Sequence, residues 1–172
     1  MKTTKILNNL EYQAAMLAMN KLDAYEIKAT IQLLYDEGFY LDDFLDALDA
    51  GQHPRMAEVL PSLLAAFKHQ EIAVPSKDAA VWQLIEHHLN GIVAGEADPS
   101  VNLSKLIADV YWDFDFQSIT TKYLGDSHDI ALLVGLYWAF DDLKGSLNED
   151  PISISKINAQ IRLESERWLA NH

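Results

Sequence analysis

The sequence predicts an all-α protein, and three observations support this fold class. Apolar side chains recur mainly at the spacing of an α-helix. Alanine and leucine are abundant, and the 172 residues include only 7 glycines and 5 prolines. Because a typical domain contains about 100–200 residues, we predict one compact domain over residues 1–172, built from about seven to nine helices.

The first half of the sequence reads as helices separated by short turns. An apolar stripe predicts the first helix over residues 10–21. Asp23 followed by Glu26 has the spacing of a capping box, which would begin the second helix. Gly38 suits the position just after that helix, where the backbone often adopts positive φ. A shorter helix is predicted over residues 41–50.

Two prolines shape the prediction for the middle of the chain. Pro54 suits the first turn of a helix, where its missing N–H costs nothing. Pro61 is expected to interrupt or restart that helix, because an interior proline removes a backbone hydrogen bond. Residues 71–75 are predicted to be a connector inside the domain, and Ser76 would cap a strong helix over residues 77–94.

The sequence after residue 94 predicts three more helices. The first is short and is capped by Asn102 or Ser104. The second begins at Asp126 or Ser127, ends near residue 143 and is apolar almost all round, so we expect it to be central in the fold. The third begins at Ser153 or Ser155.

Residues 111–116 do not follow the helical period, because aromatic and acidic side chains alternate there. One interpretation is a short extended segment that runs from Tyr111 to Phe116 with two different faces. The alternative is an irregular end of the preceding helix. Both remain open at the level of sequence.

Charge and composition exclude several classes of protein. The chain has 26 acidic and 13 basic residues, so its formal net charge is −13, and it has no cysteine. Disulfide scaffolds and thiolate chemistry are therefore excluded. A nucleic-acid interface is not expected, because no basic stripe could neutralise phosphates. No apolar run is long enough for a membrane span, and no signal peptide is evident, so we expect a cytoplasmic protein.

One acidic cluster lies on the helix predicted over residues 41–50. Asp42, Asp46 and Asp49 have spacings of four and three residues and line one helix face, with Asp43 beside them. This pattern predicts a surface for a cationic partner. The alternative is a solvated face that serves only solubility.

A second acidic group is interleaved with aromatic residues. Trp112, Asp113 and Asp115 could form a partner-binding patch, in which aromatic rings anchor and carboxylates select a basic protein. Partly desolvated carboxylates could also serve acid–base catalysis. The structural alternative is that the aromatic rings fill the core while the aspartates face water.

Histidines offer two further candidate sites. Asp126 and His128 lie in the string GDSHD at residues 125–129, which places a hydroxyl, an imidazole and carboxylates at a predicted helix start. Capping by Asp126 explains most of this string, although we include both residues among the partner-binding candidates. His87 and His88 are adjacent and diverge on a helix, so no metal site is predicted there.

These features predict a protein-interaction module that binds or neutralises a basic protein partner. An immunity-type inhibitor of a cationic toxin has this profile of charge and size, by analogy alone. One alternative is an enzyme that uses carboxylates and histidine, such as a metal-assisted hydrolase. Another is a structural module that self-associates through exposed aromatic residues. No cofactor and no catalytic residue are predicted.

Overall fold

A computed structural model describes residues 2–116, 126–144 and 151–172 of the chain. Within these ranges the backbone forms eight α-helices and one π-helical turn, and no strand, which confirms the all-α prediction and the expected number of helices. The α-helices are α1 (Lys2–Ala18), α2 (Ala24–Asp36), α3 (Phe44–Asp49), α4 (Met56–His69), α5 (Lys77–Ala94), α6 (Pro99–Leu106), α7 (Ala131–Lys144) and α8 (Pro151–Asn171). The π-helical turn is Ile107–Tyr111.

Backbone contacts group the chain into two compact units, Met1–Ala80 and Val81–His172. The division falls inside α5, so one continuous helix contributes to both units. A single domain over residues 1–172 stays a prediction, which unfolding measurements can test.

The first unit is a helical cluster in which α2 contacts α1, α3 and α4, and α4 contacts α1 and α3. Fully buried side chains from each helix meet in its core, and these include Leu10, Ile27, Phe44 and Leu63. Burying one such side chain stabilises the fold by about 1.5–3 kcal/mol. The apolar stripes of the sequence therefore define this core.

The predicted limits of α2 are confirmed in atomic detail. Asp23 Oδ1 accepts a hydrogen bond from the Glu26 backbone N–H at 2.8 Å, and Glu26 accepts one from the Asp23 N–H at 3.4 Å. This reciprocal pair is the predicted capping box. After the helix, Gly38 has φ +89°, a conformation that glycine adopts without strain.

The expectation that Pro61 interrupts its helix is wrong, because α4 runs without a break from Met56 to His69. Pro61 and Ala57 are both exposed, so water can reach the carbonyl group that loses its usual N–H partner. Pro54 lies before α4 instead of in its first turn, and it is buried.

The second unit contains α6, α7 and α8, which contact one another pairwise, together with the π-helical turn that continues α6. Its fully buried apolar residues include Ile85, Leu89, Leu103 and Ile161. α6 begins at Pro99, earlier than predicted, because Asp98 caps it by accepting a hydrogen bond from the Ser100 N–H at 3.1 Å.

The extended segment offered as one interpretation of residues 111–116 is wrong. The chain leaves α6 through the π-helical turn Ile107–Tyr111 and then follows turns and a bend, so the irregular helix end is correct. Phe116 is buried here, whereas Trp112, Asp113 and Asp115 are exposed. The alternating side chains therefore belong to an irregular segment of turns, in which some side chains face the core and others face solvent, and not to a β-strand.

The prediction for α7 is wrong in its start and in its central position. The helix begins at Ala131, and residues 126–130 form a turn in which Asp129 has φ +55°, a value that an α-helix cannot contain. Leu133 and Phe140 are buried, but Leu132 and Trp138 on the other face are exposed. α7 is therefore a surface helix with an unusually apolar outer face.

Candidate functional site

The four aspartates of the predicted acidic cluster all lie at the surface, around α3. Asp42, Asp43, Asp46 and Asp49 are exposed, and we call them the acidic surface. None of them forms an ion pair with a residue in the ranges that the structure describes. The carboxylates are therefore presented to solvent, and no basic side chain in the described ranges neutralises their charge through a close contact.

The core and two polar contacts hold α3 in place beneath the acidic surface. Phe44 and Ala47 are fully buried and anchor the inner face of the helix. The Ser62 hydroxyl donates a hydrogen bond to the Asp43 carbonyl at 2.5 Å, and the Lys28 ammonium donates to the carbonyls of residues 50 and 51 at the end of α3. A cation at a helix C-terminus is favourable, because the free carbonyls carry partial negative charge.

Apolar and aromatic side chains are exposed beside these aspartates. Leu45 is 57% exposed, since a helix of six residues turns only one side toward the core. Tyr40 is 65% exposed, and its ring packs edge-on against Tyr35 with centroids 4.8 Å apart. Aromatic side chains are enriched in protein interfaces, where they contribute buried contact area.

Of the second predicted group, Trp112 belongs to an aromatic surface that also contains Tyr111, Tyr137 and Trp138, which were not predicted to join it. The Trp112 and Trp138 rings have centroids 5.8 Å apart and planes at 75°, and each tryptophan also contacts the tyrosine before it. Trp112 is exposed, and so are Asp113 and Asp115. The interpretation that these rings fill the core is correct only for Phe116.

The other two predicted partner-binding residues, Asp126 and His128, are buried instead of exposed. Asp126 Oδ1 accepts hydrogen bonds from the backbone N–H groups of Ile130 at 2.6 Å and Ala131 at 3.1 Å. The carboxylate therefore holds the start of α7, as predicted for a capping residue.

His128 lies in a cluster of rings. Its ring centroid is 4.3 Å from that of Trp82 and 5.1 Å from that of Phe114, and its backbone carbonyl accepts a hydrogen bond from Trp168 Nε1 at 2.8 Å. Its Nδ1 lies 2.8 Å from Ser127 Oγ, a contact that a turn allows although a helix would not. Through these contacts the imidazole of His128 packs in the interior of the unit Val81–His172.

A partly buried histidine–carboxylate pair was not predicted from the sequence. His88 Nε2 lies 2.8 Å from Asp109 Oδ2, which the π-helical turn carries, and the two residues are 21 positions apart, so no local pattern connects them. Next to this pair, desolvation lowers the pKa of His87, and the nearby His88 acts in the same direction. The carboxylates of Glu96 and Asp109 oppose this shift.

A groove with a volume of about 1010 Å³ lies along α7 and α8, and it also was not predicted. Its apolar lining residues include Leu132, Leu136 and Trp168. Charged groups in the lining pair with one another: His172 Nε2 lies 3.4 Å from Asp129 Oδ2, and Arg167 Nη1 lies 3.4 Å from Glu164 Oε2. The lining therefore offers both signs of charge and favours no particular ligand.

Two features are absent from the ranges that the structure describes. No three histidine or carboxylate side chains in those ranges are grouped so that they could hold a metal ion. Likewise, none of the helices in the part of the chain that the structure describes combines the length and apolar character needed to cross a membrane.

Comparison with known proteins identified no relative. The chain matched no family model, no curated protein and no solved structure.

Proposed function

We propose that this protein is an interaction module that binds a basic protein partner through the acidic surface around α3. The observation that carries this proposal is the exposure of Tyr40 and Leu45 beside four exposed aspartates. An immunity-type inhibitor of a cationic toxin, acting in the cytoplasm, is the specific form of the proposal. Its carboxylates would occupy the positions of the phosphates that such a toxin binds.

Two properties of this surface support a role in binding. Carboxylates that lack close basic partners attract a cationic protein and accelerate its encounter. The neighbouring Tyr40 and Leu45 would lose contact with water in a complex, and burial of apolar area supplies affinity that charge alone does not. Because Phe44 and Ala47 fix α3 to the core, the surface is largely preformed.

The test compares two variants of equal charge. The first carries Asp→Asn substitutions at positions 42, 43, 46 and 49. The control carries Glu→Gln at four exposed positions elsewhere, Glu11, Glu71, Glu86 and Glu166. Each variant changes the net charge from −13 to −9, because four negative charges are removed. Proteins from the native cell lysate are captured on each immobilised chain and identified, and the dissociation constant of each basic protein is then measured at low and high salt.

We expect a basic partner that binds the wild type and the control equally but binds the first variant more weakly. An exposed ion pair contributes about 0.2–1 kcal/mol, so losing four should weaken binding by about 1–4 kcal/mol, which is about fivefold or more. Binding should also weaken as salt increases. Equal weakening in both variants, or failure to recover any basic protein, would contradict the proposal.

A further inference from the structure

We propose that Trp112 and Trp138 form a binding site for a cationic side chain, an arginine or a lysine, of a protein partner. This inference rests on the proposed function in one respect, since it takes the partner to be a basic protein. It concerns different residues from the acidic surface, so each can fail without the other.

The geometry of the two indole rings suits a cation. Trp112 is 60% exposed and Trp138 is 41% exposed, unusually large values for the largest apolar side chain. Their planes meet at 75° with centroids 5.8 Å apart, so the rings form two walls of a corner. The face of an indole ring attracts a lysine ammonium or an arginine guanidinium group through its quadrupole, and cages of aromatic rings bind quaternary ammonium ligands by the same attraction.

Carboxylates flank this corner along the chain. Asp113 follows Trp112 directly, while Asp141 and Asp142 follow Trp138 by three and four residues, one turn further along the same side of α7. All three are exposed. A cation over the rings can therefore interact with carboxylates at its edge, and a guanidinium group can bind one of them through two hydrogen bonds.

The helix that carries Trp138 is anchored, so the site is held in shape. Leu133, Val134 and Phe140 are buried on the inner side of α7. The one lysine of α7, Lys144, already places its Nζ 5.0 Å from the centroid of the Phe140 ring. This intramolecular cation–aromatic contact has the same chemistry as the proposed intermolecular one.

Charge favours a cationic occupant over a second copy of the chain. Two copies would bring the same aspartates together, and each chain has a net charge of −13. An apolar partner would desolvate carboxylates without offering them a counter-ion, which is costly. A basic side chain covers the rings and compensates the carboxylates together.

The experiment uses the full chain and three synthetic peptides of identical glycine–serine framework that contain arginine, lysine or citrulline, the uncharged isostere of arginine. The four tryptophans give four indole N–H signals in an NMR spectrum, and Trp112→Phe and Trp138→Phe variants assign two of them. Trp168 is an internal control, because its indole N–H donates to the buried His128 carbonyl at 2.8 Å.

Adding the arginine or lysine peptide should shift the Trp112 and Trp138 signals and leave the Trp168 signal in place. The citrulline peptide should shift none. Trp112→Leu, which keeps an apolar side chain but removes the ring, should weaken binding of the arginine peptide by about two- to fivefold. Trp112→Phe should have a smaller effect, and Leu163→Ala, at another exposed apolar position, should have none.

Several results would overturn this inference. The first is equal binding of the arginine and citrulline peptides. The second is an equal effect of Trp112→Leu and Leu163→Ala on the affinity for the arginine peptide. The third is broadening of the indole signals with increasing protein concentration in the absence of peptide, which would indicate self-association. The variant with Asn at positions 42, 43, 46 and 49 separates the two proposals. If it loses its protein partner while the indole signals still respond as in the charge-matched control, the acidic surface and the aromatic site act independently.

Discussion

Replacing Asp126 by alanine tests whether this buried carboxylate holds the start of α7. The substitution removes the acceptor of two backbone N–H groups, those of Ile130 at 2.6 Å and Ala131 at 3.1 Å. Loss of a capping side chain costs about 1 kcal/mol, and a buried donor without a partner costs about 1–3 kcal/mol. Because Ile130 is 2% exposed, water cannot easily replace the carboxylate. We expect the free energy of unfolding to fall by about 2–3 kcal/mol.

Urea unfolding followed by two signals measures this loss. All four tryptophans lie in the unit Val81–His172, so their fluorescence reports on that unit, whereas far-UV circular dichroism reports on all the helices. The same loss corresponds to a decrease in Tm of about 4–12 °C for a chain of this length. If the wild type is a single cooperative domain, as predicted, its two transitions will coincide.

Two controls make this test specific. Asp126→Asn keeps the side-chain oxygen and should lose less than about 1 kcal/mol, and Asp142→Ala, on the exposed side of α7, should change stability by less than about 0.5 kcal/mol. A loss below about 0.5 kcal/mol for Asp126→Ala would refute the capping role. If Asp126→Asn keeps its stability but binds the basic partner less tightly, the residue acts in binding, as the sequence predicted.

Two further substitutions probe the units separately. Desolvation and the neighbouring His88 lower the pKa of His87 below its ordinary value of 6.5. As the pH falls, the imidazole of His87 is therefore protonated in the unfolded chain before it is protonated in the folded chain. Because protonation favours the unfolded chain, His87 reduces the free energy of unfolding below about pH 7. His87→Gln should therefore flatten the decrease in unfolding free energy between about pH 7.5 and pH 5, and a slope equal to that of the wild type would contradict this. Lys28→Met removes the donor to the Ala50 and Gly51 carbonyls and should cost about 1 kcal/mol in urea unfolding, whereas an unchanged midpoint would mean that these bonds contribute nothing.

Local interactions were the most predictable part of this protein. Asp23 and Glu26 are three residues apart, so their reciprocal capping follows from the sequence alone. Ser76 is equally local, and its Oγ accepts a hydrogen bond from the Ala79 N–H at 3.3 Å. By contrast, the predicted start of α7 was wrong, because the turn before this helix needs a positive φ at Asp129. No short sequence pattern specifies that conformation.

The candidate surfaces were predictable only in part. The exposure of the four aspartates around α3 agrees with their charge, because an ionised carboxylate is costly to bury. Leu45 and Trp138 are exposed although they are hydrophobic. Hydrophobic periodicity could not indicate this, because α3 is short and α7 is apolar almost all round. The corner between Trp112 and Trp138 joins residues 26 positions apart through tertiary packing.

The sequence by itself determined the helical class, several helix limits, the absence of thiol chemistry and the excess of negative charge. Each of these depends on composition or on residues within one turn of each other, where the backbone geometry is already known. The tertiary structure decided which side of α7 faces solvent, that Asp126 is buried as a cap, and that His88 meets Asp109. These outcomes depend on how distant segments share a limited core, and a side chain becomes exposed or buried only when its neighbours are in place.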